Sequence, residues 1–471
     1  MKRILILLAI VAIIRVEVAA NNLEITDLTQ SGNTVTFELS WDNSWRSTVD
    51  YHDAAWIFVK QAPNGGSSWQ HANIASAMVD QGFQAFVEDN VGVMIRRTAD
   101  GSGSVSLQVQ LTLQNPLGAY RDIKVFGMEM VFVPEDSFYL GDGYASNRFS
   151  QGDDDSQSYH VTSGGVMSHG STANDIAGPG IVGDVPAAFP NGYSAFYCMK
   201  YPVTAGQYVD FLNCQDRASQ DSLVQTDLSG TTISERYVLT ETATPWYSNP
   251  VATDLDIGNG QITFYCDYNN NGVGDESDDG QWKGLPYLRV EYTMAYLDWA
   301  GLAPLTNMEY EKACRGPLPA VAGEYAWGSN TVSSAGGTID AGTSSEVYSN
   351  SGILPGIAHF YDGATFVRSA RVGISAVASG GTRETSGGSY YGIMEMSYYC
   401  HPTVRSYYSY TGQHGDGSIS NGMADSFGSL AFHVKRHAST QNHPTTSAGV
   451  SNNLTSAYYL DYTSCRGVRR L

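Results

Sequence analysis

Apolar and polar residues alternate with period two near the start of this chain: Leu23-Glu24-Ile25, then Thr34-Val35-Thr36-Phe37-Glu38-Leu39, then Val105, Leu107, Val109 and Leu111 at every second position. Successive side chains of a strand point to opposite faces, so this spacing demands half-buried strands and argues against helix over the same residues. Trp56-Ile57-Phe58-Val59 is a continuous apolar run. Ser31-Gly32-Asn33 and Asp100-Gly101-Ser102-Gly103 fall between runs as turns. A hundred or so residues of short strands predict an all-β sandwich over residues 21–120. Four tryptophans, Trp41, Trp45, Trp56 and Trp69, lie in this part and are read as core and face packing rather than a sugar-binding strip.

The strands follow a segment with the layout of a secretory signal peptide, residues 1–20. Lys2 and Arg3 precede the apolar run Ile4–Ile14, and Val18-Ala19-Ala20 supplies small residues for cleavage near Ala20. The run falls short of the ~20 residues that cross a bilayer, so the expectation is a secreted, periplasmic or cell-surface protein with no membrane span. A net charge of −21 repels phosphate backbones and excludes nucleic acid as a partner, while favouring cations. The six cysteines could pair in an oxidising compartment or stay as buried thiols. None forms a Cys-x-x-Cys pair, which argues against structural zinc.

Past Asn115-Pro116-Leu117-Gly118 the pattern changes. Met128-Glu129-Met130-Val131-Phe132-Val133-Pro134 is a strand closed by proline, and residues 142–188, rich in Gly, Ser and Asp, read as a long surface loop. Thr204-Ala205-Gly206-Gln207 and Thr306-Asn307-Met308-Glu309 have the form of capping boxes, which satisfy two backbone N–H groups at a helix start. A third helix spans Tyr292 to Ala300 with Met294, Leu297 and Trp299 inward, and helical periodicity nearly vanishes after Gly316. The predicted fold class is α+β: the sandwich followed by a loop-rich domain over 125–471.

That second part resembles the formylglycine-generating enzyme, or sulfatase-modifying factor, family. The resemblance rests on Met130–Pro134 with Phe138–Gly141, Phe196–Thr204 with Gln207, Tyr208, Phe211 and Leu212, and Ala295–Thr306. It continues through Glu309–Gly316, Tyr325–Gly328, Tyr391–Met396 and Arg466–Arg469. The resemblance implies a C-type-lectin-related fold. It also shows where this chain departs from the family. Ser397-Tyr398-Tyr399-Cys400-His401-Pro402 stands where relatives carry Gly-Asn-x-Trp-Glu, and Phe432–Ser439 stands where they carry Arg-Gly-Gly-Ser-Trp. The family's two C-terminal cysteines, four residues apart, hold copper, whereas here only Cys400 and Cys465 occur in the last third. The resemblance therefore implies a divergent member without the copper chemistry.

Asp267-Tyr268-Asn269-Asn270-Asn271-Gly272-Val273-Gly274-Asp275-Glu276-Ser277-Asp278 has the layout of a calcium loop. Oxygen ligands would come from Asp267, Asn269, Asn271, the Val273 carbonyl, Asp275 and Asp278, with Gly272 at the sharp turn. Position 12 is Asp rather than Glu, and no helix flanks the loop. His401, His414, His433, His437 and His443 crowd the C-terminal quarter but lack metal-site spacing with an intervening acid, and no nucleophile elbow or phosphate-cradling glycine loop is present. Tyr, Ser, His and Asn dominate residues 398–414 and 437–465, a mixture of rigid rings and adaptable polar groups suited to recognition. Tyr398, Tyr399, His401, Tyr407, Tyr408, Tyr410 and His437 are the expected ligand-binding residues, and no catalytic residue is expected. The sequence thus points to a calcium-stabilised extracellular binding or structural protein whose partner is a protein, a glycan or another copy of itself. The alternatives are a copper-dependent oxidase of a peptidyl cysteine and a self-assembling surface or filament subunit.

Overall fold

The period-two segments become strands β1 (Glu24–Ser31), β2 (Thr34–Thr48), β3 (Tyr51–Pro63), β4 (Gln70–His71), β5 (Ile74–Val79), β6 (Phe83–Glu88), β7 (Gly92–Arg97), β8 (Gly101–Leu113) and β9 (Arg121–Val133). The computed structural model describes residues 23–118, 121–143, 149–178, 181, 183–245, 248–321, 324–331, 333–334, 336–350, 357–358, 369–376, 381–397, 401–405, 413–419, 433–435 and 463–471. In β2 every second residue from Val35 to Trp41 is buried, and β8 answers with Leu107, Val109, Leu111 and Leu113. The two pair antiparallel from Thr34↔Thr112 to Trp41↔Val105, then slip register before Ser44, where β2 bends toward β3.

The chain is strand-rich, and its main sheet is curled and continuous. In order it runs Ala303–Pro304, Gly467–Arg470, Phe196–Met199, β9, β3, β2, β8, β5. Strand β9 pairs along its length with β3, and its end also pairs with Phe196–Met199. The N-terminal strands and the loop-rich part are thereby joined by backbone hydrogen bonds.

Strand β3 explains the unbroken apolar run at Trp56–Val59. Ala55, Ile57 and Val59 face a core made with Val35, Phe37, Leu39, Val109 and Leu111. Ala54, Trp56 and Phe58 face a second core containing Met128, Met130, Tyr208, Phe211, Tyr296 and Trp299. Both faces are dry along this stretch, so no polar residue interrupts Ala54–Val59.

The second core is built on helices α1 (Ala205–Leu212) and α3 (Val290–Trp299); α2 (Arg217–Ser222) follows α1, α4 (Asn307–Arg315) packs into two other clusters through Met308, Tyr310, Ala313 and Cys314, and a single turn, α5 (Arg383–Ser386), lies farther on. Both expected capping boxes are present, at Thr204/Gln207 and Thr306/Glu309. Helix α3 is buried along Tyr292–Trp299, and the N-terminal strands clasp its end. Trp56 Nε1 donates to the Ala300 carbonyl at 2.8 Å, and Lys60 Nζ donates to that of Trp299 at 2.7 Å. Burial lowers Lys60 to about 7.

Residues 142–188 differ from the expected surface loop. Their short strands Ser150–Gln151, Tyr159–Val161 and Ile176–Ala177 bring Phe149, Val161, Met167, Ile176, Ile181 and Val185 into a buried cluster with Phe138, Leu140 and Met308. Apolar residues spaced too irregularly for either period nonetheless converge through turns.

Candidate functional site

Strand Phe264–Cys266 delivers the chain into the Asp267–Asp279 loop. Asp267 is fully buried. Its Oδ1 accepts the Asn271 N–H at 3.0 Å, while Oδ2 accepts the Gly272 N–H at 3.2 Å and Arg236 Nη1 at 2.9 Å. Asn269 Oδ1 accepts the Asn271 N–H, and Asn271 Oδ1 accepts the Val273 N–H at 2.7 Å, so the loop is wound by successive side-chain turns. Gly272 lies at φ +79°, and a Cβ there would sit 2.5 Å from Arg236 Nη1, so the turn requires glycine. Asp275 Oδ1 accepts the Cys266 N–H at 3.2 Å, and the Val273 side chain is exposed.

The carboxylates that converge are Glu276, Asp278 and Asp279, whose oxygens lie within 4.8 Å of one another. Only Asp278 belongs to the expected ligand set. Glu276 and Asp279 are additions, and two of the loop's three amides reach the cluster: Asn269 Nδ2 lies 3.0 Å from Asp278 Oδ1, and Asn271 Nδ2 lies 2.5 Å from Glu276 Oε2. Burial first, then neighbouring acids, push Asp279 up to about 6, against the pull of the Glu276 backbone. A buried Asp279 Oδ1 has no hydrogen-bond partner among the described residues. Crowded carboxylates with a spare buried oxygen fit a hard cation, and Glu276, Asp278 and Asp279 are the residues that could hold one.

A second feature is a cleft of about 540 Å³ between the β2–β3 hairpin and the segment from α5 to Gly392. Trp45 and Tyr51 form one wall, Tyr390 and Tyr391 the other, and Lys200 and Tyr201 also line it. The Tyr51 and Tyr391 rings stack with centroids 6.1 Å apart, and Tyr390 stands edge-on to Tyr391 at 5.0 Å. The Tyr51 and Tyr390 hydroxyls lie 3.5 Å apart, and that contact, with burial, pushes Tyr51 up to about 12. Arg383 fixes the rim by donating to the carbonyls of Cys314 at 2.8 Å and Ala326 at 2.7 Å. Among the described residues that line the cleft there is no Asp, Glu, His or Cys.

The five described cysteines, Cys198, Cys214, Cys266, Cys314 and Cys465, are buried and form no disulfide with one another. Cys465 Sγ faces the Thr293 carbonyl of α3 at 3.9 Å, and burial raises its thiol. A thiol held protonated inside a core is a poor metal ligand or nucleophile.

The model of the sulfatase-modifying factor enzyme 1-like domain matches residues 145–398, which hold the helices, the acidic loop and one wall of the cleft. The chain belongs to this family. Among curated proteins no match was found. A solved structure with slight similarity is the group B streptococcus pilus 2b backbone protein, 11% identical, with 37% of this chain and 81% of that chain covered and a TM-score of 0.12.

The expected ligand-binding residues are unevenly placed, and all but Tyr398 lie beyond the residues matched to the family. Tyr398, Tyr399, Tyr407, Tyr408, Tyr410 and His437, together with Cys400, lie outside the described residues. His401 opens the strand His401–Arg405 and pairs with Thr463. His414 is not a ligand to anything described: its Nε2 accepts the Arg470 N–H at 2.9 Å, and burial with nearby arginines lowers it to about 3. Trp45 packs on a core cluster as its reading as a packing residue expects, and it also lines the cleft, whose Tyr390 and Tyr391 lie hundreds of residues away in the chain and leave no local sequence signal. Among the described residues, no helix is long and apolar enough to cross a membrane.

Proposed function

We propose that this member of the sulfatase-modifying factor family is an exported binding protein that works without the family's copper chemistry. In this role the N-terminal strands form a sandwich that carries the C-type-lectin-related domain, and the loop Asp267–Asp279 binds calcium as a structural ion. A glycan or peptide chain lies in the cleft, and the Tyr-rich C-terminal loops extend the contact.

The cleft is the observation that carries the proposal. It offers aromatic faces at Trp45, Tyr51 and Tyr390 and hydroxyl and amide groups at Ser47, Asn43 and Thr382, and among the described residues its lining has no thiol, imidazole or carboxylate. Flat rings beside polar groups give contact area at low entropic cost, which suits recognition. Thiolate or imidazole chemistry would need groups that are not among the described residues of the lining. Buried Cys465 supports the same conclusion, since its thiol is raised and enclosed.

Incubation of the mature protein with copper and a cysteine-containing peptide tests the non-catalytic half. The expected outcome is no oxidation of the peptide cysteine above a no-protein control. Robust turnover would overturn the proposal in favour of the oxidase.

A further inference from the structure

We propose that Lys200 and Asp53 are joined by an isopeptide bond that the folded chain forms on itself, with Glu129 carrying the protons. The three side chains come from neighbouring strands of the main sheet. Asp53 is on β3, Glu129 on β9, and Lys200 directly follows Phe196–Met199. Lys200 Nζ lies 2.7 Å from Glu129 Oε2 and 3.7 Å from Asp53 Oδ2, with side-chain exposures of 6%, 1% and 0%. One cation therefore faces two carboxylates in a dry interior, where a full set of charges is expensive. Burial raises both carboxyls, against the pull of Lys200. Burial lowers Lys200 in turn, but Glu129 and Asp53 outweigh this and raise it, so its proton must be handed on before the amine can react.

The surroundings assign different roles to the two acids. Asp53 Oδ1 accepts the Trp45 N–H at 2.9 Å and the Ser44 hydroxyl at 3.2 Å. Two donors on one oxygen polarise Cγ and would hold the negative charge that appears there after attack. Trp41 Nε1 approaches Oδ2 at 3.4 Å and fixes the plane of the carboxyl. Glu129 has no such cradle. Its buried Oε1 has no hydrogen-bond partner among the described residues, which leaves it able to take up and return a proton.

In the reaction, Glu129 relays one proton from the Lys200 ammonium to Asp53 Oδ2, and the neutral Nζ then attacks Cγ of the neutral carboxyl. A C–N bond forms, and charge gathers on Oδ1 under the Trp45 and Ser44 donors. A second proton passes from the nitrogen through Glu129 to Oδ2, and the Cγ–Oδ2 bond breaks to release water. Of the three ammonium hydrogens, two leave in the water and one stays on the amide. No oxidant or other co-reactant takes part. Fixed proximity supplies the driving geometry, as in intramolecular acyl transfer. The bond would join the N-terminal strands to the family domain covalently, in a chain whose described cysteines form no disulfide with one another.

Mass spectrometry of a digest of the folded, full-length mature protein tests this directly. The expected result is one branched peptide joining the Asp53 and Lys200 segments, lighter by one water than its two linear parts. Asp53→Asn should give the same branch with loss of ammonia in place of water. Glu129→Gln should give the two linear peptides from a protein whose circular dichroism is unchanged. Unmodified Lys200 and Asp53 in linear peptides from the folded wild type would overturn the proposal, as would a branch from Lys200 to Glu129; neither outcome depends on a variant that folds.

Discussion

Two places in this molecule gather more carboxylate than cation, and they resolve the excess in opposite settings. At the strand seam, Asp53 and Glu129 share Lys200 inside the sheet, with almost no access to water. In the loop, Glu276 and Asp278 are exposed and only Asp279 is buried, with Arg236 engaged by Asp267 alone. A buried excess must be met from within, by a proton, a lysine or a covalent bond, whereas an exposed one can draw a cation from solution. The same residue types therefore imply fixed architecture in one place and dependence on the medium in the other.

The contrast can be broken most severely at the seam. Lys200→Met leaves two carboxyls buried without their cation and should lower stability by about 3–5 kcal/mol, measured by denaturant unfolding. Added salt or calcium should not restore it.

Calcium should act only on the loop. At a hundredfold excess over its Kd the ion should add about 2.7 kcal/mol, read as a rise in melting temperature over a chelator control. Asp267→Ala should reduce that rise, because it unpicks the Asn271 and Gly272 turns. The pH dependence has a definite sign. Asp279 is raised to about 6 from 3.8, so without the ion its ionisation weakens the fold as pH rises through that interval. The ion needs the ionised form, so the calcium increment should shrink as pH falls through about 6. An increment that stayed constant from pH 7 to 5 would remove Asp279 from the site.

A helix cap outside both clusters calibrates the scale. Thr306 accepts the Glu309 N–H at 3.1 Å, and Thr306→Ala should cost about 1 kcal/mol with no change in calcium response. The smallest effect is expected in the cleft: Tyr390→Phe should shift stability by less than about 0.5 kcal/mol. It should still weaken binding of whatever oligosaccharide or peptide quenches Trp45 fluorescence in a titration of the wild type.

Where one face was wet, the sequence was readable. β2 and β8 alternate in burial just as they alternate in character, and the capping boxes at Thr204 and Thr306 announce helices whose first turns need them. Legibility failed where burial was two-sided or assembled from distant pieces. Phe149, Val161, Met167, Ile176 and Val185 follow no period, because turns rather than a regular element bring them together. In the loop, the twelve-position template led to Asp278 but stopped one residue short of Asp279, and it counted Glu276 as a spacer. At the seam, Lys200 lies within a segment matched to the family, while Glu129 and Asp53 lie on two earlier strands outside it with no local signal. Only strand pairing places the three together.

Strand β3 has one further consequence, for how the molecule comes apart. Its odd residues Ala55, Ile57 and Val59 complete one core, and its even residues Ala54, Trp56 and Phe58 complete the other. Withdrawing it opens both at once, so neither core has an independent melting point to display. Heating should give a single cooperative transition across the N-terminal strands and the helices, and cutting the chain between β8 and β9 to obtain either half alone should yield two insoluble pieces.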